Sequence, residues 1–73
     1  MEKEVEIKTE TIQLDQFLKW ANLVESGGEA KNLIQAGKVM VNGEIEYSRG
    51  KKLNSGDLIE FVDTEDKYRV SRD

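Results

Sequence analysis

The chain has 73 residues, 37% hydrophobic and 36% charged, a formal net charge of −4, and neither cysteine nor histidine. At this length folding buries only about 60% of the unfolded chain's surface, so residues 1–73 are expected to form one small domain of modest stability. The missing residue types exclude disulfides, thiolate and imidazole metal sites and a histidine general base, and no apolar run is long enough for a signal peptide or membrane span, which makes the cytoplasm the expected compartment.

Net negative charge repels nucleic acid, but its distribution matters more than its sum. Residues 1–18 and residues 57–73 each carry −3, while residues 19–56 carry +2, from six cations against four carboxylates. The basic residues of that middle segment are Lys19, Lys31, Lys38, Arg49, Lys51 and Lys52.

Glu4–Lys8 alternates polar and apolar residues, with Val5 and Ile7 on one side, and reads as a short half-buried edge strand. Leu14, Phe17, Leu18, Ala21 and Val24 then recur at helical spacing, with Trp20 on the margin of the stripe and Lys19 on the wet side. Ser26-Gly27-Gly28-Glu29 spells a capping box that opens a second helix. Its apolar residues are Ala30, Leu33 and Ile34, Lys31 and Gln35 look outward, and Gly37 reads as a left-handed C-cap. Strands 38–41 and 44–47 flank Asn42-Gly43, the pair best suited to a type I′ hairpin turn. A basic loop, Ser48–Lys52, and a turn at Asn54–Asp57 lead to a strand at Leu58–Val62, and Tyr68–Val70 adds one edge strand.

Few of these residues carry specific chemistry. Gly27 and Gly28 offer bare amides at a helix start, which suits an anion, but Glu29 in the same turn repels phosphate, and the glycines read rather as making the turn between helices. The six middle cations form one basic face provided the helices and the loop point the same way, and the flexible Arg49–Lys52 run suits a phosphate backbone. Trp20 and Tyr47 are aromatics of the kind that stack on unpaired bases; Trp20, bordering the apolar stripe, reads rather as core, and Tyr47 stays open. Glu44 and Glu46 read as solvated strand residues rather than an acid–base pair, and no catalytic residue, metal site or cofactor site is expected.

Taken in order, Leu14–Lys19, Ser26–Ile34, Gly37–Gly43 and Gly56–Ile59 resemble the RNA-binding domain of the ribosomal-protein-S-four type, over about residues 12–62. The resemblance implies an α+β fold, a two-helix αL motif packed on a small, bent, mainly antiparallel sheet of about four or five short strands. It implies a non-enzymatic module whose helix pair and hairpin bind structured RNA, plausibly ribosomal RNA or a ribosomal particle. Lys19, Lys31 and Lys38 then lie on the RNA side, with Asn42 and Arg49, Lys51 and Lys52 at its rim, Gly27-Gly28 turning the chain between helices and supplying a backbone anion site. With no catalytic domain attached, the chain looks like the small stand-alone bacterial members, and a monomer is expected. Many members carry arginine where this chain has Gln13 and Gly27, which implies weaker and more selective binding. A protein-interaction adaptor that keeps the fold without RNA binding is the alternative.

Overall fold

The computed structural model describes residues 2–72; Met1 and Asp73, the two ends of the expected domain, lie outside the described residues. In chain order the elements are β1 (Glu2–Ile7), β2 (Thr11–Gln13), α1 (Leu14–Trp20), α2 (Gly27–Gln35), β3 (Val39–Val41), β4 (Glu44–Ile45), β5 (Lys52–Asn54), β6 (Leu58–Phe61) and β7 (Lys67–Arg72). Five strands form one sheet in the order β1-β7-β6-β3-β4, and β2 pairs with β5 in a second, two-stranded sheet. All pairings are antiparallel except β1 with β7. The fold is α+β, two helices on a mixed sheet.

One hydrophobic cluster joins the layers. Leu14, Phe17 and Leu18 of α1 and Ala30 and Ile34 of α2 are buried with Ile7, Val39, Val41, Leu53, Ile59 and Val70 of the strands. Helix α1 stops two turns in, where Asn22 takes a left-handed φ of 59°. Val24, at helical spacing in the sequence, therefore reaches the core from the interhelical turn rather than from the helix. The left-handed residue in that connection is Asn22 and not the expected glycine pair: Gly27 and Gly28 form the first turn of α2 and have no positive φ.

Helix α2 is capped at both ends. Ser26 Oγ accepts from the Glu29 amide at 3.2 Å, as a capping box requires, but the Glu29 carboxylate accepts from the Glu25 amide at 2.7 Å, one residue before the expected partner. At the other end Gly37, at φ 75°, donates to the Ile34 carbonyl, and Lys38 donates to Leu33, both at 3.1 Å; the two bonds make a Schellman motif. The positive φ favours glycine there, and a Cβ would also stand 3.3 Å from the Tyr47 ring, which would have to shift slightly. Asn42 and Gly43, at φ 53° and 86°, form the two-residue turn between β3 and β4.

Three strand expectations change. The hairpin's second strand ends at Ile45, not residue 47, and the two-stranded β2–β5 sheet was not expected at all. Strand β7 is longer than Tyr68–Val70 and lies inside the sheet, between β1 and β6, rather than at its edge. Inside the sheet Arg69 is satisfied locally: its Nε donates to Glu2 at 2.8 Å and its Nη1 to the Gly56 carbonyl at 2.8 Å.

The Arg69 bond holds the Glu2 carboxyl below its ordinary value. Since the folded value is the lower one, the pair stabilises β1 above the unfolded-state pKa and its contribution is lost as pH falls through the folded value. The urea midpoint of the wild-type protein is therefore expected to exceed that of Glu2→Gln at neutral pH and to converge with it on acidification below the carboxylate range, as followed by circular dichroism.

Candidate nucleic-acid interface

The residues Arg49–Lys52 are not a loose loop. Gln13, the N-cap of α1, offers no side-chain cap, and the carbonyls of Lys51 and Arg49 accept from the Leu14 and Asp15 amides at 2.8 and 3.1 Å. They satisfy two of the amides that a helix start leaves without partners. Lys52 is the register partner of Gln13 in the β2–β5 pair. Pinned backbone, rather than flexibility, thus holds three cations beside the start of α1.

Lys19 lies in the last turn of the same helix. Its aliphatic stem runs past the start of α2, where a Cβ on Gly27 would sit 4.0 Å from Lys19 Cδ. Lys31 follows Gly27 by four residues and so stands on the same flank of α2. Gln16, three residues before Lys19, lines a groove with Lys19, Ile12 and Trp20. A strip therefore leads from Lys52 and Gln13 past Gln16 to Lys19 and on to Lys31. Among the described residues, Lys19, Lys31, Arg49, Lys51 and Lys52 are all exposed and make no ion pair.

Lys38 does not join them. It closes a groove on the flank of α2 that carries Glu29, Asn32 and Ala36, and its ammonium lies 3.3 Å from the Asp63 carboxylate. Both partners are exposed, so the pair stabilises only weakly, but its geometry separates Lys38 from the flank of Lys31.

Asn42 has an internal task. Its Nδ2 donates to Asp57 Oδ1 at 3.2 Å, its Oδ1 accepts from the Leu58 amide at 3.0 Å, and its own amide donates to the Leu58 carbonyl at 2.8 Å. Asp57 in turn accepts from the Asn54 amide at 2.8 Å. Asn42 therefore ties the hairpin to the turn that joins β5 to β6. Its φ was legible in the sequence; its partner Asp57 was not, because the two are fifteen residues apart.

The start of α2 carries a carboxylate of its own. Ser26 Oγ takes the Glu29 amide, and the Glu29 carboxylate, held by the Glu25 amide just before the helix, repels an anion from the Gly27 and Gly28 amides. Trp20 departs from the core reading: it is 52% exposed, and its indole nitrogen donates to the Glu6 carbonyl at 2.6 Å. Tyr47 is 62% exposed and lies against Gly37. Sequence reasoning passed over Gln16 and Ile12, although their spacing from Lys19 and Trp20 was available. Among the described residues no group of acidic side chains is arranged to hold a metal ion, and no helix is long and apolar enough to cross a membrane.

The family model described as the S4 domain matches residues 5–71. A curated relative from Bacillus subtilis (strain 168), described as probable ribosome maturation protein RlbA, is 45% identical over 61 residues, covering 84% of this chain and 86% of that protein. Among solved structures, the trimeric Heat Shock Protein 15 of Vibrio cholerae is similar with a TM-score of 0.67 and 28% identity; the match covers 80% of this chain and 58% of that one. The 30S ribosomal protein S4e of Thermoplasma acidophilum shares the fold with a TM-score of 0.61 at 21% identity, over 85% of this chain and 32% of that one.

Because glycine tolerates the φ of residue 42, Asn42→Gly removes the side-chain ties without backbone strain. Two lost hydrogen bonds, at about 0.5–1.5 kcal/mol each, are expected to lower the unfolding free energy by about 1–3 kcal/mol, measured by urea denaturation.

Proposed function

The chain belongs to the S4 domain family, a family of non-enzymatic modules, and on that premise we propose that it binds structured RNA of the ribosome in the cytoplasm. The observation that carries the reading is a partition of charge. On a protein of net charge −4, five cations without carboxylate partners lie at the start of α1 and on the shared flank of α1 and α2. On β1 the exposed carboxylates Glu2, Glu4 and Glu6 alternate with Val5 and Ile7, which turn toward the core. Such a body presents one side to phosphate and repels it with another, so docking is oriented as well as attractive. Ribosomal RNA as the target is supported by the Bacillus subtilis relative and its description as a probable ribosome maturation protein.

Lys19 and Lys31 contact phosphates across the helix pair, and Arg49, Lys51 and Lys52 extend the contact along the start of α1. Lys38 joins only by releasing Asp63, and Asn42 shapes the hairpin rather than touching RNA. Contacts of this kind read shape and backbone, as proteins that bind folded RNA do. Gln13 and Gly27, standing where many relatives carry arginine, reduce the number of phosphate contacts and with it the affinity.

A protein-interaction adaptor is the second reading. It is favoured by Ile45 and Tyr47, 46% and 62% exposed, which both approach Gly37 at the end of α2. Salt separates the two readings, because phosphate contacts release counterions and weaken steeply with salt, whereas a mixed-charge protein interface responds less.

In fluorescence anisotropy with labelled ribosomal RNA fragments, affinity is expected to fall with salt at a log–log slope of about −0.7 to −0.9 per phosphate contacted. Lys19→Glu with Lys31→Glu lowers affinity by at least about tenfold and flattens that slope, while Lys38→Glu has the smaller effect. A loss in Lys38→Glu equal to that of the Lys19→Glu, Lys31→Glu variant overturns the assigned strip, and salt-insensitive binding overturns the RNA reading.

A further inference from the structure

Trp20 is the chain's one tryptophan and is not where its size would place it. Burying an indole removes about 150–250 Å² of largely apolar surface from water, a large gain for a core this small. Trp20 forgoes half of it, at 52% exposure. Yet the ring is not free to move. The 2.6 Å bond from its nitrogen to the Glu6 carbonyl anchors one edge to β1, while about half of the residue stays in water. Two grooves flank it, one lined by Ile12, Gln16 and Lys19 and the other by Ile7, Thr9 and Ile12 among others.

We propose that the groove between Trp20, Ile12, Gln16 and Lys19 seats one unpaired nucleobase of the RNA, stacked on the indole. The proposal rests on the RNA-binding reading above and adds to it the part of the RNA that is recognised. A rigid, exposed indole beside an aliphatic wall fits a flat aromatic ring. Bases within a stem already stack on their neighbours, so the base that can enter is one from a bulge, loop or end. The rim supplies the rest of a nucleotide's chemistry. The unpaired Lys19 ammonium suits the phosphate beside the base, and the exposed Gln16 amide offers both a donor and an acceptor to a base edge. The groove also opens onto the strip that runs to Lys31 and Lys52, so a backbone lying on those cations brings its bases within reach of Trp20. This continuity with cations favours RNA over an aromatic side chain of a protein as the occupant.

The single tryptophan allows the stacking and the binding to be read separately. Two labelled RNA hairpins with the same stem are used as probes, one fully paired and one carrying a single unpaired adenosine. Anisotropy gives the affinity for each, and Trp20 emission reports contact with the ring. The bulged hairpin is expected to bind tighter by about 5- to 150-fold, the range set by one stacked base, and to quench the emission, whereas the paired hairpin binds without quenching. Trp20→Phe keeps most of the preference for the bulge and Trp20→Leu abolishes it, with circular dichroism verifying that both variants fold. Equal affinity for the two hairpins with unmoved emission, or a preference that survives Trp20→Leu, overturns the stacking site and leaves the RNA reading standing. Failure to bind either hairpin overturns the RNA reading and the stacking site with it.

Discussion

The start of α1 borrows its cap from elsewhere in the chain, and the arrangement of the surface follows from that. A helix of seven residues has few hydrogen bonds of its own, and Gln13 satisfies none of its first amides through a side chain. The carbonyls of Arg49 and Lys51 do so instead. Those bonds, with the β2–β5 pairing, fasten a segment from the middle of the chain against the first helix. Removing the cap would free the backbone of Arg49–Lys52 and the N-terminal turn of α1 together. The same contact thus closes the fold on that side and fixes where three cations stand.

The chain's charge makes sense only against this geometry. The two acidic ends of the sequence meet in the parallel β1–β7 pair, where Glu2 is bonded to Arg69 and Arg72 lies 3.9 Å from Glu10. Lys38 outside the strip is likewise drawn into a pair, with Asp63. Those on the strip are left in water with no partner among the described residues, where a phosphate backbone meets no internal competitor for them. An S4 domain of net negative charge can therefore keep a cationic strip on one side.

Much of the fold was legible because local signals suffice for it. Ser26, Gly37 and Asn42-Gly43 each dictate a backbone geometry within a few residues, and the helical spacing of Leu14, Phe17 and Leu18 fixes the face of α1. What the sequence concealed is non-local. Strands β2 and β5 are three residues each and exist through each other, so neither shows an alternation long enough to detect. Strand β7 looks like an edge until Glu2 and Gly56 are seen to satisfy Arg69. The candidate site was half legible: its cations could be named, but the pairing of Lys38 depends on Asp63, and the internal role of Asn42 on Asp57. Trp20 misleads for a related reason. Its position on the margin of the stripe does not tell whether the neighbouring strand covers the ring or, as here, only accepts its N–H.

The central claim is that the strip running from Lys52 past Lys19 to Lys31 is the surface that meets ribosomal RNA. The most direct measurement is crosslinking in living bacterial cells followed by sequencing of the recovered RNA, with the protein carrying Lys19→Glu and Lys31→Glu taken through in parallel. The account predicts enrichment of a defined ribosomal RNA region by the wild-type protein and its loss in the variant. Recovery of the same region by both proteins, or of nothing above background by either, would contradict it.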